Sequence, residues 1–317
     1  MQCKQIWVVT PSYNSMQWLA CAVASVADQA GNNVTVHHHI QDGGSKDGTR
    51  EWLEAYAEQC ARKPQTGYTF SYESAPDGGM YEALNQGWSK APQGVDILAH
   101  LNSDEQYLPG ALQTVAEIFT KNPSWEVLLA DLIVVDNKGR YLCHRRSLKP
   151  SPLIFRYTCG GMTASTFQRA YVFQKRQIGF EPEWRIAGDK VWYHTMLQAG
   201  VRIGHANRLV SVFTETGNNL GWSSAAREET QRYATRFLRG KTYGIYLFGK
   251  WNGLRRIVKE WCITPPKSYA LYTHENLRQR QLFPIMHPTG SWGRKPGAPA
   301  NKLAIWSLID RFFSSNR

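Results

Sequence analysis

Ala99-His100-Leu101-Asn102-Ser103-Asp104-Glu105 is the stretch on which the fold turns. An apolar segment, residues 96–101, runs straight into a cluster of oxygen-bearing side chains. This pattern predicts a buried strand whose carboxyl end opens into a loop, the place where α/β sheets hold their ligands. Asn102, Asp104 and Glu105 offer hard oxygen ligands suited to Mg²⁺ or Mn²⁺ rather than the nitrogen and sulfur set that zinc prefers. Taken alone, such a loop reads more readily as a solvated turn. Its neighbours change that reading.

Upstream, strand patterns alternate with helical ones. Ile6-Trp7-Val8-Val9-Thr10 is a β-rich run ended by Pro11, Ser12 and Asn14, and residues 16–29 then carry Leu19, Val23 and Val26 at helical spacing. A second strand over 34–40 leads through Gln41-Asp42-Gly43-Gly44-Ser45-Lys46-Asp47-Gly48-Thr49 into a helix over 50–60, and a third over 68–72 leads through Pro76-Asp77-Gly78-Gly79 into a helix over 80–88. Beyond the acidic loop come a helix over 110–120, strands over 127–135 and 140–144 joined at Asp136-Asn137-Lys138-Gly139, and a helix over 186–199 whose start carries Asp189. Residues 155–177 follow neither pattern. The alternation predicts a mostly parallel, doubly wound α/β sheet of Rossmann-like type with its ligand loops on one edge.

Size and charge bound the function. The chain has 317 residues, 42% hydrophobic and 20% charged, which describes an ordinary folded protein. From Gly240 onward lie 13 of the 37 Lys/Arg but 3 of the 25 Asp/Glu, leaving that segment at +10 and the preceding part at +2. The expected organisation is therefore a catalytic body over 1–239 and a basic, aromatic-rich segment over 240–317, with a Gly/Pro-rich linker over 290–300. The basic segment suits a solvated surface or a peripheral contact with an anionic membrane; Trp306, Ile309 and Phe313 recur at helical spacing beside Arg311, a pattern that equally suits a helix docked on the body. Nothing in it resembles a nucleic-acid-binding motif, so no nucleic-acid partner is expected. The six cysteines are scattered without a CxxC pair, no secretory signal opens the chain, and no apolar run approaches the roughly 20 residues of a membrane span. A cytoplasmic protein, peripheral on the cytoplasmic membrane face, is the expectation.

Four loops on the predicted edge carry the polar groups. Tyr13 can lie against a base, Asp42 can accept hydrogen bonds from base or ribose, the glycines at 43, 44, 78 and 79 allow close backbone approach, and Asp104 can hold a divalent ion against a diphosphate. His37-His38-His39 is a weaker candidate for metal binding, because strand alternation sends His38 to the opposite face from its neighbours.

Thr10-Pro11-Ser12-Tyr13-Asn14, residues 41–49, Gly79-Met80-Tyr81-Glu82-Ala83-Leu84-Asn85-Gln86-Gly87 and Leu101-Asn102-Ser103-Asp104-Glu105 together resemble the successive motifs of family-2 glycosyltransferases, inverting enzymes of the GT-A fold. The resemblance covers roughly residues 4–215 and is nearest to the bacterial subgroup that builds O-antigen and other surface polysaccharides. It implies a nucleotide-sugar donor, a UDP-sugar first among them, and a lipid-linked glycan acceptor. It also implies nucleotide and donor contacts at Thr10, Pro11, Tyr13, Asn14, Asp42, Asp77, Gly79, Asn85 and Asn102, and Mn²⁺ or Mg²⁺ held by Asp104. Asn102-Ser103-Asp104 stands where the family has D-x-D, with one carboxylate fewer.

Ala187-Gly188-Asp189 looks like the family's late acidic motif, which makes Asp189 the general base for the acceptor hydroxyl; direct displacement at the anomeric carbon needs such a base opposite the leaving group. Read without the family, Asp189 is a favourably placed aspartate at a helix start. Gly188 replaces a frequent acidic residue, and Lys190 is expected to lower the pKa of Asp189. Thr163 and Ser165 fall where the subgroup has an acceptor-side pair and are further candidates. Two rivals remain. A sugar nucleotidyltransferase should carry a Gly-rich, basic phosphate loop, which residues 10–16 lack; a non-catalytic sugar-nucleotide scaffold is what Asn102 and Lys190 would favour.

Overall fold

The computed structural model describes residues 3–31, 33–217, 224–239, 243–260 and 267–289. The expected linker over 290–300 and the residues Trp306, Ile309 and Phe313 lie outside them. The chain opens β1 (Lys4–Ser12), α1 (Met16–Ala27), β2 (Val34–Asp42), α2 (Thr49–Arg62), β3 (Tyr68–Ser74), α3 (Met80–Ser89) and β4 (Ile97–His100), the alternation that the apolar periodicity predicts. These four strands pair in parallel in the order β3-β2-β1-β4. Ser12 lies opposite Asp42 and Asp42 opposite Ser74, so three strands end level and their loops rise from one edge.

The second half is mixed. β5 (Gln106–Tyr107), α4 (Ala111–Lys121), β6 (Val127–Asp136) and β7 (Tyr141–Arg145) follow, with β6 and β7 forming the expected hairpin. The stretch that fits neither sequence pattern holds α5 (Pro152–Tyr157), a 3-10 turn at Thr163–Ser165, β8 (Thr166–Arg169) and α6 (Ala170–Gln174). β8 lies antiparallel between β4 and β6 and joins the two halves. α7 (Gly188–Gln198) and β9 (Ile203–Glu215) come next, β9 pairing in parallel with β6 and antiparallel with β5. α8 (Ser224–Leu238), α9 (Tyr243–Glu260) and a hairpin of β10 (Ser268–Thr273) and β11 (Asn276–Pro284) complete the described chain.

The two faces of the sheet are covered by different helices, because alternate residues of each strand point to opposite sides. Ile6 and Val8 pack with Val26 of α1 and Leu112, Val115 and Phe119 of α4. Trp7 and Val9 pack with Leu84 and Trp88 of α3 and Trp192, Tyr193 and Met196 of α7. Gly87 is required where α3 crosses β1, since a Cβ there would sit 2.5 Å from Val9. Part of the basic segment belongs to the body: Tyr269, Leu271 and Ile285 share a core with Ile133, Val135 and Val212, and Arg280 pairs with Asp28.

Candidate active site

The first two loops are knitted together by backbone and side-chain hydrogen bonds. Gly43 N donates to Ser12 O at 2.8 Å, Asn14 N to Ser45 Oγ at 2.7 Å, Lys46 N to Asn14 Oδ1 at 2.9 Å and Met16 N to Asp47 Oδ2 at 3.0 Å. Asn14 adopts a left-handed conformation (φ 49°), which asparagine tolerates better than most residues. Asp42 is fully buried and receives Gly44 N, Ser45 N, Ser45 Oγ and Ser74 Oγ, so it organises its own loop. Tyr13 stands 67% exposed above it. A Cβ on Gly43 would lie 3.3 Å from the Tyr13 ring and 3.2 Å from the Asp77 carboxylate. Tyr13, Gly43 and Asp77 therefore form one patch, and only a glycine leaves it open.

Ser103 Oγ donates to Ser15 Oγ at 2.9 Å and ties the acidic loop to the first loop. Within that loop the Glu105 carboxylate is buried and receives both Asn102 N (2.9 Å) and Asn102 Nδ2 (3.1 Å). Asp104 is half-buried. Burial raises the pKa of both acids, and the negative charge of Asp104 raises that of Glu105 further. Asn102 Oδ1 is a buried acceptor without a hydrogen-bond partner, and a buried unpaired acceptor is costly. A hard cation answers both features, so the residues fit Mg²⁺ or Mn²⁺. Among the described residues no group of three or more His, Cys, Asp and Glu side chains could hold a metal ion. An ion at Asp104 would need further oxygens from Asn102, water or a diphosphate.

α3 starts at the same edge. Gly79 has φ 118°, a value L side chains rarely adopt, and its N–H donates to Asp77 Oδ1 at 2.8 Å. In the first turn of the helix, Tyr81 donates from its hydroxyl to Ile186 O (3.1 Å) and accepts from Asp189 N (3.2 Å). The hydroxyl thus fixes the start of α7 against the start of α3. Gly188 explains itself here: a Cβ would meet the Tyr81 ring at 2.5 Å. Glu229 of α8 closes the arrangement, accepting the N–H groups of Arg185, Ile186 and Ala187 at 2.7–2.9 Å.

Asp189 Oδ2 receives the Cys159 thiol at 3.3 Å and Oδ1 receives Lys190 N at 2.6 Å. Its pKa is raised, because burial outweighs the opposing hydrogen bonds and the Lys190 charge. Lys190 does pull it down, as expected, but burial is the larger effect and the net shift is upward. The lysine itself lies over the Tyr233 ring, 4.0 Å from its centroid, and burial brings its pKa down to about 8. A carboxylate with a raised pKa is the stronger base.

Of the sequence-derived residues, Pro11, Tyr13, Asn14, Asp42, Asp77, Gly79, Asn102, Asp104 and Asp189 gather around this edge. Three placements differ from expectation. Thr10 points inward, its hydroxyl 2.9 Å from buried His38 Nε2, so its side chain cannot meet a donor. Asn85 uses both ends of its amide on Phe180, donating to O at 2.7 Å and accepting from N at 3.0 Å, and so holds α3 to that segment. Ser165 is buried and donates to Ala130 O, which removes it from any acceptor surface. The histidine triplet alternates as expected: His37 and His39 bond Ser71 Oγ, while His38 faces the other side. Residues that sequence reasoning passes over are Tyr81, Cys159 and Glu229. A cleft of about 480 Å³ lined by Ser89, Gln93, Phe173 and Gln177 lies at the far end of α3 and is separate from this edge.

Comparison with known proteins agrees with this geometry. Residues 7–176 match the family described as Glycosyl transferase family 2. Two Mycobacterium tuberculosis proteins described as uncharacterized glycosyltransferases, from strains CDC 1551 and H37Rv, are 34% identical over 100 residues; that stretch is 32% of this chain and 34% of each relative. The chain thus spans about a third of the curated relatives it matches. Among solved structures it resembles Staphylococcus aureus TarS 1-349 in complex with UDP-GlcNAc (TM-score 0.53, 19% identity, 74% of this chain and 66% of that one). It also resembles the mannosyltransferase PcManGT of Pyrobaculum calidifontis in complex with GDP-Man and Mn²⁺ (TM-score 0.52, 14% identity, 84% and 78%). The parallel β3-β2-β1-β4 half, its loop-bearing edge and the family match lead to one conclusion: the chain belongs to glycosyl transferase family 2 and has the GT-A fold.

Proposed function

We propose that this protein transfers a sugar, with inversion, from a nucleotide-diphosphate donor to a hydroxyl of a growing, lipid-linked glycan in bacterial surface polysaccharide synthesis. The observation that carries the reading is the Tyr81 bridge, which holds Asp189 beside the edge where the donor loops converge. UDP-sugars head the donor classes, in keeping with the UDP-GlcNAc bound to TarS. Pro11 and Tyr13 would flank the base, with Asp42 shaping the loop beneath, and Asp77 and Gly79 would line the side of the sugar-diphosphate. The start of α3 lies at the same edge, and the positive end of a helix favours anions such as the phosphates.

Asp104 and Asn102 Oδ1 would hold the Mn²⁺ or Mg²⁺; neutralising charge that builds on the departing diphosphate is the chemistry such an ion supplies when bound. Asp189 takes the proton of the acceptor hydroxyl as its oxygen attacks the anomeric carbon, while the bond to the diphosphate breaks on the opposite side. Cys159 and the Lys190 amide hold that carboxylate in one orientation. Asn85 acts by positioning α3, not by contact. The test is transfer from UDP- and GDP-sugars to a lipid-linked acceptor, with the anomeric configuration of product read by NMR. Inverted product that disappears in Asp189→Asn is expected; retained configuration, or full activity in that variant, overturns the assignment.

A further inference from the structure

α9 carries a surface that the sugar-transfer reading does not use. Tyr243, Tyr246, Leu247, Trp251 and Leu254 are between 45% and 63% exposed. At about 100° per residue these positions, with exposed Lys250 among them, fall on one arc of about 140°. The opposite side of the helix is packed. Phe248 stacks on Tyr157 of α5 at 4.9 Å, and a Cβ on Gly244 would collide with the same ring at 2.3 Å. Ile245 packs with Trp184, Val191 and Tyr233. α9 is therefore seated on the body with an apolar stripe turned outward.

We propose that this stripe docks the protein on an anionic lipid surface. Tyr and Trp rings pair an apolar body with a polar edge, the composition that settles at a headgroup layer. The Lys250 ammonium lies 5.2 Å from the Tyr246 ring centre, where a lysine can bury its stem and keep its charge in the polar layer. The charge matches the partner: Lys250 is exposed among these positions, within a segment that is +10 from Gly240 onward. Among the described residues no helix is long and apolar enough to cross a membrane, so α9 lies on the surface rather than through it. The placement also has a use. Val191, two residues after Asp189, packs in the cluster that receives Ile245, so docking through α9 holds the α7 part of the body toward the lipid. That benefit rests on the lipid-linked acceptor of the reading above; the docking itself does not.

The experiment is co-sedimentation of the full chain with phosphatidylcholine vesicles, and with vesicles that also contain phosphatidylglycerol, at low and high salt. The variants are the combined Leu247→Ser, Trp251→Ser, Leu254→Ser and, separately, Lys250→Glu. Nucleotide titration and sedimentation velocity are run on the same samples. The wild type is expected to pellet with anionic vesicles in a salt-sensitive way, and the triple variant to lose about tenfold or more of that partitioning, with nucleotide binding unchanged. Wild type that stays in the supernatant, a triple variant that pellets as well as wild type, or a wild-type dimer that the variant converts to monomer without vesicle binding each overturns the proposal. Vesicle binding in a chain that binds no nucleotide would instead remove the glycosyl-transfer reading and leave the docking assignment standing.

Discussion

The Tyr81 hydroxyl and the Asp189 backbone nitrogen lie 3.2 Å apart across 108 residues of sequence, and this one contact joins the donor-side helix to the base-side helix. Tyr81→Phe keeps the ring, which is 4% exposed, and removes only the bridge. About a tenfold fall in kcat with donor KM nearly unchanged is expected, the scale of one hydrogen bond to a positioned group. Gly188→Ala acts on the same relationship from the other side by pushing the ring away, and about a 10–100-fold loss is expected. Steady-state kinetics of both variants check this; a KM effect alone would mean that Tyr81 shapes the donor pocket and not the base.

The Cys159 thiol donates to the Asp189 carboxylate and so favours its charged form. Removing the thiol in Cys159→Ala raises the Asp189 pKa further, which leaves less of the base ionised at acid pH. Activity is expected to fall about two- to fivefold on the acidic limb of the profile and to change little on its alkaline side. The pH–rate profile of the variant decides, and an unshifted acidic limb would contradict the contact's role.

Glu105 holds Asn102 by two hydrogen bonds and leaves Asn102 Oδ1 facing its unpartnered side. Glu105→Ala releases that restraint. Metal affinity in the presence of nucleotide is expected to fall about 10–100-fold, the usual effect of losing a group that orients a ligand. Manganese-dependent nucleotide titration measures it, with circular dichroism as the check on folding.

Burial depresses the pKa values of His37, His38 and His39, that of His37 to about 4. The sign follows from linkage. Each imidazole binds a proton less readily in the fold than in the unfolded chain, so the stabilisation is complete above 6.5 and is lost as pH falls toward 4. For His37 alone this amounts to about 1–2 kcal/mol at pH 5. Thermal melts between pH 7 and 4.5 should show a falling midpoint, and histidine NMR titrations of the three rings should stay flat above pH 6. A ring that titrates near 6.5 would remove its contribution.

The parallel half of the fold was legible because its strands are short apolar runs that end in turn residues, as at Val9-Thr10-Pro11 and Ile40-Gln41-Asp42. The loops were legible for the same reason, and with them Tyr13, Asp77 and Asp104. Side-chain direction was not. Thr10 sits in a site loop by sequence but faces His38, since alternation along β1 turns it inward. β8 has no signature in the sequence because four residues, Thr166 to Arg169, are too few to show a period. Glu229 and Cys159 act at a distance in sequence, and no local pattern announces a carboxylate that receives three backbone amides from another element. Tyr81 had one available signal, its place in the helical turn after Gly79.

The most direct test of the account is calorimetric titration of the folded protein with UDP, GDP, dTDP and CDP, with and without Mn²⁺, in wild type and Asp104→Ala. Binding of one nucleotide that strengthens with Mn²⁺ and weakens at least about tenfold in Asp104→Ala is the predicted result. No binding of any nucleotide, or binding indifferent to both the metal and Asp104, would contradict it.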